Sequence, residues 1–131
     1  MRAAIDTNVL VRAVVRDDKA QAEIAAKCLR TSEIIAVALS ALCELVWVLR
    51  RVYGFKAAEV ADSIRALTAA ENVETNRPAV EAGLAMLDAG GDFADGVIAY
   101  EGRWLGAETF VSFNKKAVEM LRAQGEAARL L

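Results

Sequence analysis

The first ten residues constrain the fold of this chain more than any other segment. An apolar run at residues 3–5 stops at the carboxylate of Asp6, and aliphatic residues resume after the polar pair Thr7-Asn8. In an α/β protein, this pattern predicts a short buried strand that ends at Asp6 and a helix that begins at Thr7 or Asn8. A carboxylate at the carboxyl end of a first strand lies where open parallel sheets hold their ligands. Asp is also a favoured helix N-cap, so Asp6 is interpreted either as a ligand-site acid or as a cap.

Length and composition indicate one globular domain. The chain has 131 residues, of which 56% are hydrophobic, so it can bury a sizeable core as a single domain spanning residues 1–131. Its mean hydropathy of +0.28 is high for this size and suggests an apolar surface that a partner covers. The uncharged run at residues 34–43 is much shorter than the roughly 20 residues of a membrane-spanning helix. Asp6 interrupts the N-terminal apolar run too early for a signal peptide, so we expect a cytoplasmic protein without a membrane segment.

The absence of histidine excludes several kinds of active site. Ser-His-Asp and Cys-His catalysis, histidine zinc sites and histidine general bases all require a residue that this chain lacks. Any hydrolytic chemistry must therefore depend on carboxylates, which favours a site with a bound hard cation. The net charge of −2 excludes a chain that coats nucleic acid through bulk positive charge, although local basic patches remain available.

Hydrophobic periodicity alternates between strands and helices along the chain. After the first strand, further strands are predicted at 33–37, 73–75, 108–113 and 128–131. Helices are predicted at 8–15, 19–30, 41–53, 56–70 and 78–89, from about residue 92, and at 115–124. This alternation predicts an α/β fold with a small parallel sheet of four to five strands and helices on both faces.

Individual side chains receive specific structural roles in this prediction. Ile24, Cys28 and the alanines are expected in the buried stripe of the second helix, and Ser40 is expected to cap the third helix. Cys28 and Cys43 lack CxxC spacing and are expected to be reduced core residues. The large aromatic side chains are most simply core residues, although part of this apolar surplus could face a partner; they are Trp47, Phe55 and Trp104.

Further acids lie at comparable positions in this alternation. Glu44 is an isolated acid within the apolar run at residues 41–49, where it either pairs within a site or interacts with the helix dipole. Asp92 and Asp95 are three residues apart and share one helix face. Asp92 can cap that helix while Asp95 points a free carboxylate into a site, so the capping and the functional interpretation are compatible here.

Together, Asp6, Glu44 and Asp95 predict a site built from oxygen ligands alone. Clustered carboxylates without histidine suit Mg²⁺ or Mn²⁺, and without a cation they would repel one another. The chemistry that such a site supports is metal-assisted phosphodiester hydrolysis, in which an ion lowers the pKa of a bound water and stabilises charge on the phosphate.

The sequence resembles PIN-domain proteins, and specifically the VapC-type toxin nucleases of bacterial toxin–antitoxin pairs. The resemblance extends over essentially the whole chain, in the family's order and size. The matching segments are residues 5–10, Ser40 with Glu44 and Leu45, residues 92–95 with Ile98-Ala99, and residues 109–114.

This resemblance implies a Mg²⁺- or Mn²⁺-dependent endoribonuclease with a PIN-like parallel sheet. It also implies a homodimer and inhibition by a cognate antitoxin whose C-terminal segment lies over the active-site groove. By position, Asp6, Glu44 and Asp95 correspond to the family's catalytic, metal-binding acids, and Asn8 could orient them through hydrogen bonds.

The late strand departs from the family pattern. Many members carry an aspartate where this chain has Asn114, which brings no charge and places a second metal in doubt. Asp92 could partly compensate for the missing acid. The basic residues expected to bind RNA phosphates include Arg12, Lys115 and Lys116, of which Lys115 and Lys116 follow Asn114 directly at the rim of the site.

Two alternatives compete with a ribonuclease toxin. One is a catalytically weak PIN-fold binding module that acts mainly through its antitoxin complex; Asn114 and the acidic charge balance favour it. The other is a haloacid dehalogenase-type phosphatase. That enzyme needs a second aspartate two residues after the first, where this chain has Asn8, so we set it aside.

Overall fold

The computed structural model describes residues 1–131 and confirms an α/β fold with small parallel sheets. Seven helices connect five short strands, with two helices between most successive strands. The chain divides into two compact units, Met1–Asn76 and Arg77–Leu131, which are described in turn. No helix combines the length and the apolar character that crossing a membrane requires.

The first unit is built on a three-stranded parallel sheet. The strand order is β1-β2-β3, with Ala3 opposite Ile35 and Ile35 opposite Val73. Ile35 and Val73 are fully buried, as expected for strands of a parallel sheet. The elements are β1 (Arg2–Ala4), α1 (Thr7–Val15), α2 (Lys19–Thr31), β2 (Ile34–Ala36), α3 (Leu39–Arg51), α4 (Ala57–Ala69) and β3 (Val73–Glu74).

The second unit contains a two-stranded parallel sheet and three helices. Strands β4 and β5 pair in parallel, with Phe110 opposite Ala128 and Ser112 opposite Leu130. The five predicted strands are therefore all present, paired in sheets of three and two. The elements are α5 (Arg77–Asp88), α6 (Phe93–Trp104), β4 (Phe110–Ser112), α7 (Lys115–Ala123) and β5 (Ala128–Leu130).

Glycines allow α5 and α6 to pack closely. A Cβ added at Gly96 of α6 would lie 2.2 Å from the carbonyl oxygen of Ala82 in α5. A Cβ at Gly83 would lie 2.6 Å from the fully buried ring of Phe93. This close packing fixes the first turn of α6, which carries Asp95, against α5.

Three expectations about apolar side chains were wrong. Ile24 is 69% exposed, because the buried face of α2 is centred on Ala22 and Ala25 and each residue turns a helix by about 100°. Trp47 is exposed for the same reason, since it lies opposite the leucines that α3 buries. Trp104 is 76% exposed at the end of α6, where its indole N–H donates a hydrogen bond to the Tyr100 hydroxyl.

Of the other side-chain expectations, some were confirmed in part and one was wrong. Phe55, Cys28 and Cys43 are partly buried, and neither cysteine forms a disulfide. Ser40 is not the cap of α3: the helix begins earlier, at Leu39, and Ala38 occupies the N-cap position without a side-chain hydrogen bond. Asp18 is the N-cap of α2 and accepts a hydrogen bond from the Gln21 N–H.

Candidate active site

Asp6 lies between β1 and α1 and caps the helix. Its Oδ1 accepts a hydrogen bond of 2.9 Å from the Thr7 N–H, one of the donors that a helix N-terminus leaves unpaired. Its Oδ2 contacts only the Asn8 side-chain amide, at 3.4 Å. The carboxylate is exposed, so capping uses one oxygen and leaves the other accessible to a ligand.

Glu44 lies beyond the first turn of α3, on an exposed position of the helix. The helix dipole acts mainly within the first turn, so it gives little reason for an acid at this position. Instead, Glu44 Oε2 accepts a hydrogen bond of 3.1 Å from the Thr7 hydroxyl. The structure therefore links Asp6 and Glu44 through one residue, although 38 positions separate the two acids in the sequence.

Thr7 lies in the segment at residues 5–10 that carries the family resemblance, but the sequence interpretation gave its hydroxyl no role in the site. Its side chain is buried, with 8% relative exposure, and its backbone and hydroxyl contact different acids. Its position as a hydroxyl residue directly after Asp6 was the only available signal. Nothing in the sequence indicates which acid its hydroxyl reaches.

Asp92 and Asp95 begin helix α6 as predicted. Asp92 is the N-cap and accepts a hydrogen bond of 3.1 Å from the Ala94 N–H. Asp95 is partly buried in the first turn. Burial, followed by the charge of Asp92, raises the pKa of the Asp95 carboxyl above its ordinary value.

This raised pKa has a definite consequence for stability. The folded protein holds the Asp95 proton at a pH where the unfolded chain has released it. Stability therefore falls as the pH rises from the ordinary aspartate pKa through the raised one, and the loss persists above that range. Asp95 is a destabilising charge at neutral pH unless a cation offsets it.

Asn114 caps helix α7 and lines the same cavity as Asp92 and Asp95. Its Oδ1 accepts a hydrogen bond of 3.1 Å from the Ala117 N–H. The cavity has a volume of about 220 Å³. It is lined by Gly90, Gly91, Asp92, Asp95, Asn114, Lys116, Ala117 and Met120.

The three basic residues predicted to bind RNA have different surroundings. Lys116 is exposed and lines the cavity of Asp92 and Asp95. Lys115 lies 3.9 Å from Glu119 and is otherwise exposed to solvent. The guanidinium of Arg12 donates a hydrogen bond of 2.9 Å to Asp17, so its charge is partly neutralised.

The predicted site residues are distributed over both units. Asp6, Asn8 and Glu44 belong to the first unit, whereas Asp92, Asp95 and Asn114 belong to the second. Within neither unit do three or more Asp, Glu, Cys or His side chains form a group that could hold a metal ion. The donor types present are nevertheless carboxylate and amide oxygens, which suit a hard divalent cation.

Comparison with known families decides the classification. A family model described as the PIN domain matches residues 3–120, which include every candidate acid. The chain belongs to the PIN domain family. PIN domains are generally metal-dependent nucleases, so the chain has a nuclease-type fold. A search of curated proteins gave no match.

Proposed function

We propose that this PIN domain is a Mg²⁺- or Mn²⁺-dependent endoribonuclease and the toxin component of a VapBC-like toxin–antitoxin system. The observation that carries the proposal is the cavity at the start of α6. There burial, followed by the charge of the neighbouring Asp92, raises the pKa of Asp95, and neither carboxylate is in an ion pair. A divalent cation would relieve this repulsion.

In this proposal, Asp6, Glu44 and Asp95 hold the cation. Support comes from the accessible oxygens of Asp6 and Glu44, from the raised pKa of Asp95, and from a family match that spans all three. The cation would lower the pKa of a water molecule and stabilise negative charge on the phosphate. Asn8 donates to Asp6 and helps to orient its carboxylate.

Lys116 is the strongest candidate for binding an RNA phosphate. Lys116 lines the cavity of Asp95, and its ammonium group forms no ion pair there. Lys115 follows Asn114 directly and is mostly exposed, so it would extend the basic rim. Arg12 would have to exchange Asp17 for a phosphate, which makes its contribution smaller.

The exposed apolar residues support the proposal of protein partners, and we propose that the protein meets them in the cytoplasm. A groove of about 430 Å³ runs between α1 and α2 and is lined mainly by apolar side chains. Ile24, which is 69% exposed, lines this groove together with Val9 and Cys28. We assign the groove to the cognate antitoxin and the exposed apolar side chains at the end of α6, Trp104 and Leu105, to a homodimer contact.

A second candidate function is a catalytically weak binding module that acts mainly through its antitoxin complex. One observation favours it: Asn114 lies where the family commonly has an acid, and its oxygen is engaged in capping α7. The cavity therefore has two carboxylates rather than three.

Cleavage of total cellular RNA by the purified protein separates these candidates. We expect cleavage with Mg²⁺ or Mn²⁺ that is lost with EDTA and in the Asp95→Asn variant. Asp62→Asn is the matched control, because Asp62 is an exposed acid on the outer face of α4 and should not affect cleavage. If the folded wild-type protein cleaves no RNA with either metal, the nuclease proposal is wrong and the binding module is favoured.

A further inference from the structure

Thr7 is the point at which the two candidate acids of the first unit are joined. Its N–H donates to Asp6 Oδ1 at 2.9 Å, and its hydroxyl donates to Glu44 Oε2 at 3.1 Å. The first bond belongs to the cap of α1 and needs only the backbone. The second bond depends on the side chain and reaches from α1 to the neighbouring helix α3.

The burial of the two partners differs, and this difference gives the hydroxyl its role. Thr7 is buried, so its hydroxyl is held in place by packing and needs a hydrogen-bond partner. Glu44 is exposed, so its long side chain would otherwise sample several rotamers. A fixed donor therefore orders a mobile acceptor, and the Glu44 Oε1 atom is left for a ligand.

We propose that Thr7 is a positioning residue that holds Glu44, relative to Asp6, in the orientation needed to bind the divalent cation. This inference rests on the proposed function, because it assumes that the two acids bind a cation. A residue that orients a metal-binding side chain typically contributes about 10- to 100-fold to metal affinity. Thr7 itself is not a metal ligand in this proposal, since its hydroxyl hydrogen is directed at Glu44.

Substitutions at Thr7 separate the hydroxyl from the bulk of the side chain. Thr7→Val has the same shape and lacks the donor, whereas Thr7→Ser keeps the donor and lacks the methyl group. Thr31→Val is the matched control, because the Thr31 hydroxyl donates only to the Lys27 carbonyl oxygen in α2. Mn²⁺ affinity is measured by titration of each folded variant, and thermal unfolding in EDTA is measured separately.

We expect Thr7→Val to bind Mn²⁺ about 10- to 100-fold more weakly than wild type. Thr7→Ser should restore most of the affinity, and Thr31→Val should bind as wild type does. A purely structural role would instead lower the melting temperature of Thr7→Val in EDTA without changing the Mn²⁺ affinity of the folded protein.

Two results would overturn the inference, and they can be distinguished. If wild type and Thr7→Val bind Mn²⁺ equally well, the positioning role is wrong while the cation site stands. If the wild-type protein binds no Mn²⁺, the proposed function is wrong and the positioning role fails with it.

Discussion

The packing of α5 against α6 predicts that replacing glycine by alanine in α6 lowers the stability of the protein at Gly96 and raises it at Gly102. In Gly96→Ala, the new Cβ would lie 2.2 Å from the Ala82 carbonyl oxygen, about 1.2 Å closer than the 3.4 Å at which ordinary contact begins. The obstruction is backbone, so α6 must shift as a whole. Overpacking of this kind costs about 1–3 kcal/mol, and the gain of roughly 1 kcal/mol in helix propensity only partly offsets it.

Gly102→Ala is the matched control, because a Cβ at that position would meet only the Ala107 Cβ, at 3.8 Å. Without a clash, the propensity gain remains, and we expect stabilisation by about 0.5–1 kcal/mol.

Urea unfolding followed by circular dichroism measures both free energies of unfolding. For a chain of this length, each kcal/mol corresponds to about 4 °C in Tm. A Gly96→Ala variant as stable as Gly102→Ala would refute the close approach of the two helices, and with it the fixed position of Asp95.

Three further substitutions test the candidate site and its surroundings. Asn114→Asp keeps a favoured N-cap on α7 and adds a carboxylate to the cavity of Asp92 and Asp95. We therefore expect calorimetry to show tighter Mn²⁺ binding than in wild type. An unchanged affinity would contradict a cation in this cavity. Asp95→Asn removes the carboxyl whose pKa is raised. In EDTA, the Tm of this variant should exceed the wild-type Tm at pH 7 and approach the wild-type Tm near about pH 3. A lower Tm than wild type at pH 7 would contradict the raised direction of the pKa. The pKa of Asp17 is lowered overall: burial acts to raise it, and the hydrogen bond from the Tyr53 hydroxyl acts to lower it. Tyr53→Phe should therefore raise the Asp17 pKa in an NMR titration, and an unchanged value would exclude this contribution.

Most of the fold could be predicted because it depends on local patterns. Period-3.6 runs, caps and glycines locate the helices, and helix α1 begins directly after the acid that ends the first apolar run. Solvent exposure was harder to predict. In α2, the predicted buried stripe included the alanines together with Ile24, but the structure buries Ala22 and Ala25 and leaves Ile24 exposed.

The residue types of the site could be predicted from the sequence, but the hydrogen bonds between its side chains could not. Asp6 and Asp95 are at the ends of recognisable elements, so local sequence identifies them. The bond between Thr7 and Glu44 spans 37 positions and depends on how α1 packs against α3, which no local pattern specifies. The same limit applies to the pKa of Asp95, because it arises from burial and from the spacing of two carboxylates.

The structure also resolves why capping and ligand binding were hard to separate as interpretations. Asp6, Asp92 and Asn114 are all N-caps, and one side-chain oxygen of each accepts a hydrogen bond from a backbone N–H. Asn and Asp cap helices about equally well, whereas only Asp brings the charge that a cation needs.

It follows that an exchange between Asp and Asn at a cap separates the two roles. Asp6→Asn should preserve the cap of α1 and its stability in EDTA while weakening Mn²⁺ binding. By the same reasoning, Asn114 is sufficient for the fold of α7, and its missing charge affects only the chemistry of the cavity that it lines with Asp95.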